Sequence, residues 1–215
     1  MNERRPDRQT WWIGVLFAIG SACFLLGPVP SFIDIVGART DGLVFFVGSL
    51  FFTSAAFLQW LQTIGPGHVA TWEPHRVGWW ASGVQLIGTV FFNATTFWAL
   101  STATSSSAYD QVVWRPDAFG SVCFLIAGYI SYAEITGGLF HRPVRTHDGV
   151  IAAVNFVGCI LFGISAVTGF VLPAAGVEVD AAVTNLTTSL GALAFLVGAL
   201  LLLRPAPAAK PLATH

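Results

Sequence analysis

The sequence predicts an all-α membrane protein with six transmembrane helices, arranged as three repeated helical hairpins with both termini in the cytoplasm. Three observations predict this fold class. Charged residues are scarce and leave six long apolar windows. A short motif of glycine, a small residue and phenylalanine recurs once in each predicted helix. Lysine and arginine concentrate in the segments that would lie on one side of a membrane.

The apolar windows predict the helices. Only 10% of the 215 residues are charged, whereas soluble domains carry about a quarter. A membrane-spanning helix needs about 20 mostly apolar residues, and a helix satisfies its own backbone polar groups where lipid cannot. The windows without Asp, Glu, Lys or Arg cover residues 11–33, 42–72, 77–109, 118–133, 149–177 and 181–203. We therefore predict spanning helices over residues 11–27, 42–63, 77–100, 116–138, 148–172 and 181–203.

Basic residues predict the orientation, because cytoplasmic segments of membrane proteins carry an excess of lysine and arginine. One side of the predicted topology holds only Arg39 and Arg115. The other side holds eight basic residues: Arg4, Arg5, Arg8, Arg76, Arg142, Arg145, Arg204 and Lys210. The sequence therefore predicts two cytoplasmic tails, residues 1–10 and residues 204–215.

The helices group into three hairpins, over residues 11–63, 77–138 and 148–203. Each predicted helix contains one match to Gly-[Ser/Thr/Cys/Ala]-x-x-Phe, and the predicted loops contain none. The third hairpin keeps the motif but lacks the tryptophan that precedes it in the other two, so it is the most diverged copy. The glycine and phenylalanine of each motif are Gly20 and Phe24, Gly48 and Phe52, Gly88 and Phe92, Gly120 and Phe124, Gly158 and Phe162, and Gly191 and Phe195.

The spacing of the motif predicts helix packing. Residues four apart lie on one face of a helix. Glycine and the small residue beside it let a neighbouring backbone approach closely, which is how many membrane helices associate. We expect each hairpin to pack through these faces and the three hairpins to close into a bundle. The alternative is that small residues are simply common in membrane helices.

The motif also carries a resemblance. The sequences IGSACF and VGSLFF lie in the two helices of the first hairpin, and FGSVCF repeats the pattern in the second. On these residues, the span from Trp11 to Gln62 resembles the YrhK-like family of small bacterial integral membrane proteins. The resemblance covers the first hairpin well, the second moderately and the third poorly. It implies the two-helix unit and a bacterial cytoplasmic membrane as the location, and it implies no known activity.

Four polar residues inside the predicted helices are candidates for a functional role, because polar groups are costly in lipid. They are Gln85, Asn93, Glu134 and Asn155. Glu134 could be a proton or cation site, but its position near a helix end favours an interfacial carboxylate that pairs with Arg142. Gln85 and Asn155 each precede a motif glycine by three residues and could line a shared cavity. The alternative for the amides is hydrogen bonding between helices.

The sequence predicts no catalytic residue, no cofactor and no metal. The histidines lie outside the predicted helices, which leaves a membrane-embedded haem without axial ligands. Two cytoplasmic loops could form a metal site, but their spacing matches no ligand motif. They contain His68, Glu73 and His75 in one loop, and His141, His147 and Asp148 in the next. Catalytic motifs such as His-Glu-x-x-His and phosphate-binding glycine loops are also missing.

Two functions follow from these observations. The first is a non-enzymatic structural, partner-binding or accessory membrane protein, which the short loops and small-residue faces favour. The second is a small transporter or channel with a polar path near Gln85, Asn155 and Glu134, since internal repeats are common in transporters. The expected surroundings are the lipid bilayer, with a second copy of the chain or another membrane protein as a partner. We expect no nucleic acid, because no long basic patch is present.

Overall fold

The computed structural model describes residues 3–64, 77–138, 145–172 and 175–207. Seven α-helices make up most of this part of the chain: α1 (Arg8–Leu26), α2 (Pro30–Val36), α3 (Ala38–Ile64), α4 (Val77–Ala99), α5 (Arg115–Thr136), α6 (His147–Thr168) and α7 (Ala181–Leu202). A π-helical turn, Asp110–Trp114, leads into α5. Four two-residue strands complete the described elements: β1 (Glu3–Arg4), β2 (Val171–Leu172), β3 (Val177–Glu178) and β4 (Ala206–Pro207).

Side-chain caps mark where several helices begin. The Asp7 carboxylate accepts a hydrogen bond from the backbone N–H of Thr10 at 2.7 Å, at the start of α1. Thr146 and Asp180 serve α6 and α7 in the same way. Such caps satisfy backbone donors that the first turn of a helix leaves unpaired. The helical start at Arg8 also means that the predicted tail, residues 1–10, is helical in its last three residues.

The six long helices form a closed ring. Each packs against its neighbour in the chain, and α7 returns to pack against α1. The short helix α2 packs on α3 outside this ring. Strands β1 and β4 pair in antiparallel orientation, which holds the two chain ends together at one end of the bundle. The axis of the ring is therefore enclosed by helices on all sides.

The outer surface of the bundle is apolar, as expected for a protein surrounded by lipid. Within the described residues, five helical segments are long and apolar enough to cross a membrane: Arg8–Leu26, Ala38–Ile64, Asp110–Thr136, His147–Thr168 and Ala181–Leu202. Large side chains such as Val90, Phe119 and Leu186 are more than half exposed. Soluble monomers rarely expose so much contiguous apolar surface. The prediction of an all-α multi-pass membrane protein is confirmed at this level.

The sequence prediction was wrong at the end of α6. We predicted a helix over residues 148–172, whereas α6 ends at Thr168 and Val171–Leu172 form strand β2. Two local features end the helix. Gly169 occupies the C-cap and its N–H bonds the Ser165 carbonyl, and the proline at position 173 disfavours helical backbone at Leu172. Strand β2 then pairs with β3 to form a small hairpin between α6 and α7.

Candidate functional site

Six phenylalanines, one from each long helix, meet in the middle of the bundle. All six are at most 8% exposed: Phe24, Phe52, Phe92, Phe124, Phe162 and Phe195. They are the phenylalanines of the repeated motif, and they belong to one hydrophobic cluster. We call this cluster the phenylalanine barrier.

The phenylalanine barrier has two layers. In one layer the rings of Phe24 and Phe92 lie 6.0 and 5.9 Å from Phe162. In the other layer Phe52 and Phe124 lie 5.9 and 5.8 Å from Phe195. Pairs within a hairpin join the layers, as the Phe92–Phe124 distance of 5.0 Å illustrates. Only a void of about 10 Å³ remains between the rings and Ser49, which is about the space that one water molecule needs.

Close glycine contacts bring the helices of each hairpin together beside the barrier. A Cβ atom added at Gly20 would lie 2.9 Å from the carbonyl oxygen of Gly48. At Gly120 it would lie 3.1 Å from the carbonyl oxygen of Gly88, and at Gly158 it would lie 3.1 Å from that of Gly191. Backbone can approach this closely only where side chains are absent. The phenylalanine of the partner helix fills the space beside each contact.

A cavity of about 330 Å³, with several polar side chains in a mainly apolar lining, lies on one side of the barrier, at the end of the bundle where α1 begins and α7 ends. We call it the proximal cavity. It brings together three of the four residues that the sequence analysis selected, Gln85, Glu134 and Asn155. Its other polar lining residues are Gln59, Gln62, Thr63, Ser82, Ser131 and Asp148, and Phe17, Phe124 and Phe195 form part of its apolar lining.

The four selected residues have different surroundings. Asn155 is packed so closely on α7 that a Cβ atom at Gly198 would collide with its side-chain oxygen. Asn93 is not among the residues lining the two cavities described here. Instead its Oδ1 accepts a hydrogen bond from the Thr53 hydroxyl at 3.1 Å, which bridges α4 and α3. Glu134 is exposed near the C-terminal end of α5. Arg142, which the sequence suggests as its ion-pair partner, lies outside the described residues.

A second cavity, of about 280 Å³ and again with polar side chains in a mainly apolar lining, lies on the opposite side of the barrier. We call it the distal cavity. Two carboxylates line it, Asp117 on α5 and Glu178 on β3. Its other polar lining residues are Thr95, Thr96, Tyr109, Trp114, Ser165, Thr184, Asn185 and Thr188, and Phe24, Phe92 and Phe162 form part of its apolar lining.

The groups of the distal cavity influence one another electrostatically. Burial raises the pKa of the Tyr109 hydroxyl to about 12, and the charges of Glu178 and Asp117 add to the rise. Burial also raises the pKa of the Glu178 carboxyl above its usual value. Both effects arise because a buried charge loses its hydration, and a nearby like charge makes ionisation costlier still. Tyr109 is thus a neutral hydroxyl across the physiological pH range.

Sequence analysis missed the distal cavity. Asp117 lies at the start of a predicted helix, where the sequence gives it no special role, and Glu178 lies in a hairpin that the apolar window did not predict. One signal was available, because the segments at this end of the bundle hold more carboxylates than arginines. The carboxylates are Asp34, Asp41, Asp110, Asp117, Glu178 and Asp180, and the arginines are Arg39 and Arg115. The sequence pattern alone could not show which of these carboxylates face the axis of the ring and which lie on the outer surface.

The candidate metal site cannot be assembled from the described residues. His68, Glu73, His75 and His141 lie outside them. His147 contacts the carbonyl oxygen of Leu201 at 3.1 Å and the carboxylate of Asp148 at 3.4 Å. Within the described ranges no three His, Cys, Asp or Glu side chains group together around a space for an ion.

No protein-family model, curated protein sequence or solved structure matches this chain. The resemblance of the first hairpin to YrhK-like proteins therefore stays a prediction. The function is therefore inferred from the arrangement of the barrier and the cavities.

Proposed function

We propose that this chain is a non-enzymatic membrane protein that lets a small polar solute pass along the axis of its helix ring. One observation carries the proposal. Two cavities of about 330 and 280 Å³, each with several polar side chains in a mainly apolar lining, lie on opposite sides of the phenylalanine barrier. The first lies at the lower end of the range of about 300–1,000 Å³ that is usual for small-molecule sites, and the second lies just below it. An axis with polar side chains towards both ends and an apolar constriction at its centre is the design of a gated path.

The proposal includes α4 as a sixth span. At 23 residues it has a length of about 34 Å, enough for the hydrocarbon core, and it contains no charged residue. It also occupies a full place in the ring, between α3 and α5. The pairing of β1 with β4 supports an even number of spans, because an odd number would put the chain ends on opposite sides.

The remaining features of the topology follow from this count. With six spans, the eight basic residues lie on the side of the chain termini, which we propose to be the cytoplasm. The proximal cavity then faces the cytoplasm and the distal cavity faces the other side. Three hairpins around one axis also fit an internal repeat and the YrhK-like resemblance. A bacterial cytoplasmic membrane is the location that this resemblance supports.

The barrier explains how such a path would stay closed at rest. A narrow passage lined by aromatic rings excludes water, because the confined water would lose its hydrogen bonds. The void of about 10 Å³ is too small for a solute, so passage requires the rings to move apart. Each ring belongs to a different helix, and a small displacement of one hairpin would widen the void.

The surroundings of the amides favour this function over a purely structural or partner-binding role. A protein that only assembles or holds partners needs its buried amides to bridge helices, and Asn93 does so through Thr53. Gln85 and Asn155 instead line the proximal cavity together with Glu134. Gln85, Asn155 and Glu134 are thus placed to meet a solute.

The test is to shrink the barrier. Phe124→Ala and the milder Phe162→Leu should each enlarge the central void and raise the permeation of urea into liposomes that contain the protein. The matched control is Phe119→Ala, because Phe119 lies on α5 like Phe124 but is 58% exposed on the outer surface. It should leave permeation at the level of the unmodified protein.

The readout is stopped-flow light scattering, with size-exclusion chromatography to show that each variant stays folded. A large-to-small change in a core costs about 3–5 kcal/mol for phenylalanine to alanine, which is why the leucine variant is included. If neither barrier variant passes more urea than Phe119→Ala, the axis is not a path and the proposed function is wrong.

A further inference from the structure

The distal cavity is lined by two carboxyl groups that no described basic residue pairs with. Asp117 and Glu178 both line it, and neither forms an ion pair within the described part of the chain. None of its described lining residues is lysine or arginine. At this end of the bundle, two residues lie outside the described ranges, Pro173 and Ala174, and neither has a charged side chain.

The two arginines at this end are placed elsewhere. The guanidinium of Arg115 binds the Asp110 carboxylate at 2.8 Å, and both side chains are partly exposed. Arg39 is exposed at the start of α3. Neither arginine lines the cavity, so the field inside it is set by the two carboxylates. A cleft lined by charge of one sign concentrates counter-ions by about 10- to 1,000-fold.

Neutral groups of the cavity add oxygen atoms and aromatic rings. Ser165 and Thr188 share a hydrogen bond of 2.6 Å, which leaves oxygen lone pairs free to accept from a ligand. Trp114 is held in place because its Nε1–H donates to the Ala166 carbonyl at 2.8 Å. Its ring, with those of the phenylalanines, could bind a cation through the negative face of the π system.

The proximal cavity has matching chemistry. Glu134 and Asp148 line it, and none of its described lining residues is lysine or arginine. Carboxyl groups on both sides of the barrier favour a positively charged solute over an anion.

We propose that the solute is a small monovalent cation, either an alkali metal ion or a primary ammonium ion. This inference rests on the proposed function and names the substrate class. A volume of about 280 Å³ suits a partly hydrated ion or a small organic cation. It is much larger than the tight shell of six to eight oxygens, at about 2.3–2.6 Å, that Ca²⁺ takes.

The experiment uses the full chain in liposomes of neutral phosphatidylcholine. Uptake of rubidium and of methylammonium is compared with uptake of chloride and of neutral urea. The two cation arms identify which source of positive charge is accepted. On the unmodified protein, at least one cation should enter faster than chloride, and this comparison needs no variant.

The carboxylates are then tested directly. Asp117→Asn combined with Glu178→Gln should lower uptake of the accepted cation by about tenfold, because the cavity no longer concentrates it. The control is Asp34→Asn, a carboxylate of the exposed helix α2 at the same end, outside the cavity lining. It should change uptake less than twofold. Each single variant is measured as well, together with its thermal unfolding.

The outcomes separate the two proposals. If chloride enters as fast as the cations, or if the double variant folds and transports like the unmodified protein, the cation assignment is wrong while the path remains. If no solute enters through the unmodified protein or through the barrier variants, both the path and the cation assignment are wrong.

Discussion

The close contact between α1 and α3 yields a prediction whose size can be worked out from distances. In Gly20→Ala, the added Cβ would lie 2.9 Å from the Gly48 carbonyl oxygen and 2.7 Å from Cδ2 of Phe52, whereas ordinary contacts begin at 3.4 Å. The backbones of α1 and α3 must therefore separate by about 0.5 Å, or the ring of Phe52 in the phenylalanine barrier must tilt away from the new methyl group. Overpacking of this kind costs about 1–3 kcal/mol.

Gly78→Ala is the matched control for this prediction. Gly78 also lies in a helix, but no atom of the described residues stands within 4 Å of the position that its Cβ would take. Alanine should stabilise this helix by about 0.5–1 kcal/mol at most, since glycine is the more flexible residue.

The assay is reversible unfolding of the detergent-solubilised protein by a denaturing detergent, followed by tryptophan fluorescence. Gly20→Ala should lower the free energy of unfolding while Gly78→Ala leaves it unchanged or raises it. If both variants unfold at the same point, α1 and α3 do not pack through these glycines, and the arrangement of the barrier must be reconsidered.

Three further predictions concern the cavities and the topology. Asn155→Ala should lower solute flux, and because it only removes atoms from the close contact with Gly198 it should not overpack α7. Asn93→Ala, which breaks the bond to Thr53, should cost about 0.6 kcal/mol and keep the flux; the reverse pattern would place the path elsewhere. Burial raises the pKa of Glu178, so the folded state binds this proton more tightly than the unfolded state, and stability should fall as the pH rises above the usual value of 4.5. The free energy of unfolding of Glu178→Gln, relative to that of the unmodified protein, should therefore increase as the pH rises. A difference between the two proteins that does not depend on pH would contradict this. A reporter fused after His215 should be located in the cytoplasm, and a reporter on the opposite side would overturn the proposed orientation.

Helix positions could be predicted closely because absence of charge is a local property of the chain. The helix predicted over residues 77–100 is found at Val77–Ala99, and the one over residues 181–203 at Ala181–Leu202. The error at the end of α6 has a physical cause. An apolar window reports that charge is absent, but Phe170, Val171 and Leu172 are equally apolar in a helix and in a strand. Glycine and proline nearby decided the backbone there.

The site could be predicted only in part. Gln85, Glu134 and Asn155 were selected because polar groups inside apolar helices are unusual, and these three line one cavity. Asn93 was selected for the same reason but bridges two helices. The local sequence separates the two amides only by their place in the repeat, because Asn155 precedes Gly158 by three residues and Asn93 follows Gly88 by five. The difference depends on which neighbour stands beside each amide, Thr53 on α3 in one case and Gly198 on α7 in the other.

By itself, the sequence determined that this chain is helical and embedded in a membrane, because the cost of placing charges and unpaired backbone groups in lipid acts on each segment separately. Only the tertiary structure decided that the ring closes between α7 and α1, that six phenylalanines meet at its centre, and that cavities with polar side chains lie on both sides of them. These features depend on contacts between residues far apart in the chain. A cavity belongs to all the helices around it, and no single helix encodes it.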